Sequence, residues 1–184
     1  MARKPADVRM MNKAVHYLGR YSSSRHKLAQ VLQRFADRKL ADYDPQDIRA
    51  ALEHTLNQCV KLGYIDDWQF AVTTARSQRR LGRSQAVIRQ RLRQHALDDD
   101  TIIQALAEAD EDSIDGDLQA AIRFAQRRRL GPFANRTSAS HLRLDPQQWR
   151  QRDLGALARA GFSIATSQKI IEHDDPNTID ELLN

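Results

Sequence analysis

The sequence has little of what builds disulfide-rich or membrane-spanning proteins. It has a single cysteine, Cys59, so an internal disulfide cannot form. No apolar run approaches the ~20 residues that a membrane-spanning helix needs. The first residues, Met1 to Pro5, lack the apolar stretch of a secretory signal. We therefore expect a cytoplasmic protein that does not associate with a membrane.

Motifs of catalysis and metal binding are also missing. No glycine-rich phosphate loop is present, and the six histidines show no metal-ligand spacing with one another or with Cys59. The pair Asp66-Asp67 could suggest acid–base chemistry, but it follows a glycine and is explained by helix capping. We expect no catalytic residues, no metal and no cofactor, and hence a protein that is not an enzyme.

Strand patterns are absent too, and the 7 glycines and 5 prolines fall mostly between segments of helical periodicity. The fold class is therefore predicted to be all-α. Nine helices are expected. Asp44 and Asp145 each precede a proline at a helix start, and Ser24, Ser84 and Ser163 can cap three more. Helix starts are also expected at Asp66 or Asp67, at Asp98 or Asp99 and at Asp115 or Asp117, and the first helix carries Met11, Ala14, Val15 and Leu18 on one face. Aromatic residues make up only 6% of the chain, which indicates a thin core and an elongated shape.

Short internal similarities group these helices in threes. Matching spacings are Ser24, Leu28 and Leu32 against Ser84, Ile88 and Leu92, and matching strings are Arg79-Arg80-Leu81-Gly82 and Arg128-Arg129-Leu130-Gly131. They predict a tandem array of three three-helix, helix-turn-helix-like repeats. The expected bounds are 1–62 with a basic N-terminal segment, 63–112, and 113–173 with an internal linker at 132–144. A loosely attached acidic tail is expected at 174–184.

Charge is abundant and segregated. There are 29 cations, 23 of them arginine, against 24 acids, a net charge of +5. Residues 1–41 hold ten cations and two acids, 68–97 hold seven arginines and no acid, and 118–171 hold ten cations and two acids. Arginine carries a planar fork of donors that suits phosphates and carboxylates. The blocks suggest a polyanionic partner, and ordinary solvated helix faces are the alternative.

Three strings stand in order along the chain. They are Ala14-x-x-Tyr17-Leu18-x-Arg20 with Ser24-Arg25-x-x-Leu28, then Leu62-Gly63-Tyr64-Ile65-Asp66-Asp67-x-x-Phe70-Ala71, and finally Leu157-Ala158-x-x-Gly161-Phe162-Ser163. In this order and spacing the chain resembles the RecX family of RecA-modulating regulatory proteins, over roughly residues 10–172. It departs from the family pattern at Lys27, where Glu is usual, and at His95-Ala96, where Lys-Gly is usual.

The resemblance implies a curved array of three-helix modules that binds the RecA–single-strand DNA filament. In the family this usually inhibits strand exchange, ATP hydrolysis and the coprotease activity of RecA, in DNA repair, recombination and the SOS response. We expect a monomer whose partners are RecA and the single-strand DNA within or beside the filament. A helix-turn-helix-like protein that binds DNA directly, without RecA, is the alternative.

No motif identifies the contact residues, so they are predicted from charge geometry. They are Arg76, Arg79, Arg80, Arg83, Arg89 and Arg93 around the fourth and fifth helices, and Arg127, Arg128 and Arg129 at the end of the seventh. Arg76, Arg80 and Arg83 have the i, i+4, i+7 spacing of one helix face. Like charges at such spacing repel by about 0.2–0.5 kcal/mol per pair, so an anionic partner explains them economically.

Overall fold

The computed structural model of the protein describes residues 5–135, 145–173, 175–177 and 179–183. Within these ranges the chain forms nine α-helices and no strand, which confirms the all-α prediction. The helices are α1 Ala6–Leu18, α2 Arg25–Lys39, α3 Pro45–Lys61, α4 Asp67–Arg80, α5 Gln85–Arg93, α6 Asp99–Ala109, α7 Gly116–Arg128, α8 Pro146–Arg159 and α9 Ile164–Ile171, with 3₁₀ turns at Gly131–Phe133 and Ile179–Leu183. Most of the expected linker, from 136 to 144, lies outside the described residues.

Side chains cap the helices where the sequence predicts helix starts. Asp44 and Asp145 each accept backbone N–H groups of the first turn, directly before a proline. Asp145 also forms a reciprocal capping box with Gln148. Asp98 caps α6 and Asp115 caps α7 in the same way. Each cap provides an acceptor for a backbone donor that would otherwise lack a partner inside the helix.

The helices form two compact units. The first contains the residues up to Ala71 together with Gln94–Leu97, and the second contains Val72–Arg93 and the residues from Asp98 onward. The bounds of the three predicted repeats, 1–62, 63–112 and 113–173, remain predictions.

In the first unit, α1, α2 and α3 pack against one another around two buried clusters. One cluster is Ala14, Leu28, Leu32, Leu56, Cys59 and Ile65, and the other is Ala6, Met10, Ala36, Leu40 and Ala51. Leu28, Leu32 and Ala36 follow each other at one-turn spacing, so α2 contributes one apolar stripe to both clusters. Cys59 is a buried core residue, and its burial raises the pKa of the thiol.

In the second unit, α7, α8 and α9 enclose the larger core. Its buried members include Leu118, Ala121, Ile122, Ala125, Leu157, Phe162, Ile170 and Ile171. Helix α5 packs against α6 and buries Ile88 and Leu92 completely. The cap of α5, Ser84, accepts the Val87 N–H and donates its hydroxyl to the Ala160 carbonyl at 2.7 Å, which ties α5 to the end of α8.

The C-terminal tail differs from the expectation of a loose attachment. Ile179 is only 1% exposed and belongs to the core around α7. Leu182 and Leu183 pack against the same core. The acidic residues of the tail suggested solvation, but its apolar residues are numerous enough to anchor the described part.

The repeated Arg-Arg-Leu-Gly string ends its two helices at different points. Helix α4 ends at the second arginine of its string and α7 at the first arginine of its string. The two glycines correspond, since Gly82 has φ of +64° and Gly131 has φ of +55°, but after α7 Arg129 is left-handed as well, with φ of +55°. The N–H of Gly131 also donates to the buried Asp153 carboxylate at 2.9 Å. The two strings therefore share a left-handed glycine but end their helices one residue apart.

Candidate partner-binding surface

All nine arginines predicted as contacts belong to the second unit. The structure brings some of them together around a groove with a volume of about 480 Å³. Its cationic residues are Arg83, Arg127, Arg128 and Arg159, and its apolar residues are Leu81, Phe124, Ala156 and Ala160. We call this feature the arginine groove. Among the described residues that line it there is no acid, so it presents uncompensated positive charge beside hydrocarbon.

Gly82 makes the arginine groove possible. A Cβ atom at this position would lie 3.0 Å from both the Ala120 carbonyl oxygen and the Phe124 backbone nitrogen. Only glycine lets the end of α4 approach the backbone of α7 this closely, in a left-handed conformation. This close approach places Arg83, which follows the glycine directly, beside the arginines of α7.

Arg127 is held in place within the groove. Its guanidinium donates to the Leu81 carbonyl oxygen at 2.6 Å and lies 6.0 Å from the centre of the Phe124 ring. Phe124 in turn packs against Phe162 of the core, with ring centres 5.7 Å apart. These contacts fix one wall of the groove, an arrangement that would lower the entropy lost on binding a partner.

Arg79, one of the predicted contacts, does not lie on the surface. It is 6% exposed and donates two hydrogen bonds to Asp110, at 2.9 and 2.6 Å, and one to Asp117 at 2.6 Å. It also donates to the Arg83 carbonyl oxygen at 3.2 Å. Burial lowers the pKa of Arg79, but the hydrogen bonds and charges of the two carboxylates outweigh burial and leave the pKa raised. Arg79 therefore joins α4 to the end of α6, through Asp110, and to the first turn of α7, through Asp117.

Arg76 and Arg80 line a second cavity, which has acids in its wall. Arg76 forms an exposed ion pair with Glu108 at 2.9 Å, and Arg80 is exposed. The cavity also contains Asp110 and Asp112, so its charge is mixed. Helix α4 ends at Arg80, so the expected helical face of Arg76, Arg80 and Arg83 is interrupted before Arg83.

The remaining predicted contacts are separate from the arginine groove. On α5, Arg93 forms an exposed ion pair with Asp99 at 2.9 Å, and Arg89 is half-buried. Arg129 is exposed and caps the end of α7, but it does not line the groove. Arg159 does line it, and sequence reasoning missed this residue. Its only signal was its position in the basic block 118–171, because no local pattern pairs it with α7.

The Asp66-Asp67 pair serves backbone donors. Asp66 accepts the Gln69 N–H at 3.0 Å, and Asp67 accepts the N–H of Arg25, the first residue of α2, at 2.8 Å. In the described part of the chain no three histidine, cysteine or acidic residues are grouped so that they could hold a metal ion. His141 lies outside the described residues. No described helix is both long and apolar enough to cross a membrane.

Comparison with known proteins finds relatives along almost the whole chain. Regulatory protein RecX of Myxococcus xanthus is 33% identical over 172 residues, which cover 92% of this chain and 88% of that protein. Regulatory protein RecX of Agrobacterium fabrum is 28% identical over 161 residues, 87% of this chain and 80% of the relative. The crystal structure of RecX from Lactobacillus salivarius matches the fold with a TM-score of 0.67 at 16% identity, over 92% of this chain and 96% of the other. No family model matches the sequence.

Proposed function

Because the chain belongs to the RecX family of regulatory proteins, we propose that it binds the RecA–single-strand DNA filament and inhibits RecA. The inhibited activities are strand exchange, ATP hydrolysis and coprotease action, in DNA repair, recombination and the SOS response. In this proposal the protein acts as a cytoplasmic monomer and is not an enzyme.

The observation that supports this proposal best is the arginine groove. A filament of protein and single-strand DNA offers phosphates and acidic side chains, and four arginines around one groove suit both kinds of anion. The exposed Leu81 and the half-buried Phe124 add apolar contact area beside those charges. Positive charge concentrated in a groove also raises the local concentration of an anionic partner.

The other predicted contacts are weaker candidates than the arginines of the groove, judged by the exposure and the ion pairs of their side chains. Arg76 and Arg93 each already have a carboxylate partner, which a filament would have to displace. Arg80, Arg89 and Arg129 lie outside the groove and are proposed as secondary contacts. Arg79 is excluded because its guanidinium is buried and occupied by two carboxylates.

The test is the ATPase activity of RecA on single-strand DNA, titrated with wild type and with two double variants. Arg83→Gln with Arg128→Gln removes two exposed groove charges. Arg150→Gln with Lys169→Gln is the matched control, since both residues are exposed, lie in the same unit and do not line the groove. The groove variant should need about tenfold more protein for half-inhibition, corresponding to about 0.7 kcal/mol per lost ionic contact.

Filament affinity at two salt concentrations completes this test. The groove variant should show a weaker salt dependence than wild type, because it makes fewer ionic contacts. Unchanged ATPase activity at a stoichiometric excess of wild type would refute RecA inhibition. Equal potency of wild type and groove variant would show that the groove is not the contact surface. Tight binding to bare DNA, unaffected by RecA, would favour the direct DNA-binding alternative.

A further inference from the structure

A second groove lies between α1 and α2, in the first unit. Its volume is about 470 Å³. Its floor is formed by Tyr17, Val31 and Phe35, and its rim by the cations Lys13, Arg34, Arg38 and Lys39. We call it the α1–α2 groove. It shares no residue with the arginine groove, and none of its residues was predicted as a contact.

The rim carries positive charge that the described part of the fold does not neutralise. No described acidic residue lines the groove, and none of the four cations forms an ion pair with a described carboxylate. The nearby carboxylate of α2, Asp37, accepts a hydrogen bond from Gln33 at 2.8 Å. Arg34 and Arg38 lie one helical turn apart and repel each other. An acidic partner would relieve this repulsion.

The floor is hydrocarbon apart from one phenol group. The Tyr17 ring contacts the Tyr21 ring in a tilted arrangement, with ring centres 5.2 Å apart, and Phe35 packs against the buried cluster around Met10. A nucleobase needs an exposed ring face on which to stack, whereas Tyr17 already contacts Tyr21 and Phe35 packs against the cluster around Met10. Aliphatic side chains would instead exchange water for hydrocarbon, which is favourable. The floor therefore fits a protein segment better than a nucleic acid.

We propose that the α1–α2 groove binds an acidic amphipathic helix of a partner protein. Apolar residues one turn apart on that helix would lie on the floor, as in other helix-in-groove complexes. Its flanking Asp and Glu residues would pair with Lys13 on one side of the groove and with Arg34, Arg38 and Lys39 on the other. This inference does not depend on the proposed action on RecA.

The experiment uses the full chain and a fluorescein-labelled peptide of about 18 residues, long enough to become helical. The peptide has leucines on one helical face and glutamates elsewhere. A second peptide of the same composition has its leucines distributed around all faces, and a third probe is labelled oligothymidylate. The one-faced peptide should bind at least about tenfold more tightly than the scrambled peptide, because only it can place its leucines on the floor together.

Two double variants locate the binding. Arg34→Gln with Arg38→Gln removes exposed rim charges and should weaken binding of the one-faced peptide about tenfold. Arg49→Gln with Lys61→Gln, exposed on α3 and outside the groove, should bind within about twofold of wild type. Melting curves of both variants should match wild type, since none of the four side chains is buried.

Three results would overturn the proposal. The first is equal affinity for the one-faced and scrambled peptides. The second is equal peptide affinity in the rim and control variants. The third is tighter binding of oligothymidylate than of the peptide together with its loss in the rim variant, which would assign the groove to nucleic acid.

Discussion

Replacement of Arg79 by methionine should destabilise the second unit strongly, although the sequence places this residue in a basic surface block. Its side chain is 7% exposed and makes three hydrogen bonds to two carboxylates and one to a backbone carbonyl. Methionine keeps an apolar stem of similar length but donates none of these bonds. Asp110 and Asp117 would then remain close together without their cation.

The magnitude follows from the exposure of the two carboxylates. Removal of one partner of a fully buried ion pair costs about 3–5 kcal/mol. Asp110 and Asp117 have side chains 24% and 23% exposed, so water can replace part of what the guanidinium supplied. We therefore expect a loss of about 2–4 kcal/mol in the free energy of unfolding. For a chain of this length that corresponds to a Tm lower by roughly 4–16 °C.

Thermal unfolding followed by circular dichroism at neutral pH measures this loss. Arg80→Met is the control, because Arg80 is the next residue but is exposed, and its Tm should stay within about 2 °C of wild type. Arg79→Lys should fall between the two, since lysine restores the charge but not the planar fork. Equal melting of the Arg79→Met and Arg80→Met variants would refute the assigned role of Arg79.

Two further predictions concern backbone conformation and pH. Gly82→Ala should lower the free energy of unfolding, measured with urea, by about 2–4 kcal/mol, and Gly63→Ala should lower it by about 1 kcal/mol. Both glycines have positive φ, but only at Gly82 would the added Cβ press on backbone atoms of α7. Equal losses in the two variants would contradict this reasoning. The Asp98 carboxylate accepts the Thr101 N–H, and this hydrogen bond lowers the pKa of Asp98 in the folded protein. The stabilisation from this bond is therefore present above the unfolded pKa of Asp98, about 4, and is lost as the pH falls through the lower folded pKa. Between pH 5 and pH 2 the Tm of wild type should thus fall further than that of Asp98→Asn, and parallel curves would contradict it.

Features that depend on neighbours in sequence were predictable from the sequence. Helix starts at Asp44 and Asp145 follow from a side chain that caps its own next turn. The burial of Leu28 and Leu32 follows from helical periodicity. The ordered strings pointed to the RecX family, which the relatives confirm.

The composition of the candidate site was predictable only in part. The basic blocks indicated the arginines that supply its charge, but Arg159 joins the arginine groove from a different helix, and Arg129 lies outside it. The α1–α2 groove was not predicted, because its rim and floor come from two helices whose packing angle has no local sequence signal.

The sequence by itself determined the helices, their caps, their apolar faces and the family, because each of these depends on residues a few positions apart or on an ordered string. Only the tertiary structure decided which arginines are exposed and which are occupied by carboxylates. Arg79 and Arg80 are adjacent and chemically identical, yet one binds carboxylates 31 and 38 residues away and the other is exposed. That difference arises because the packing of α4 against the α6–α7 connection brings Asp110 and Asp117 within hydrogen-bond distance of only one of them.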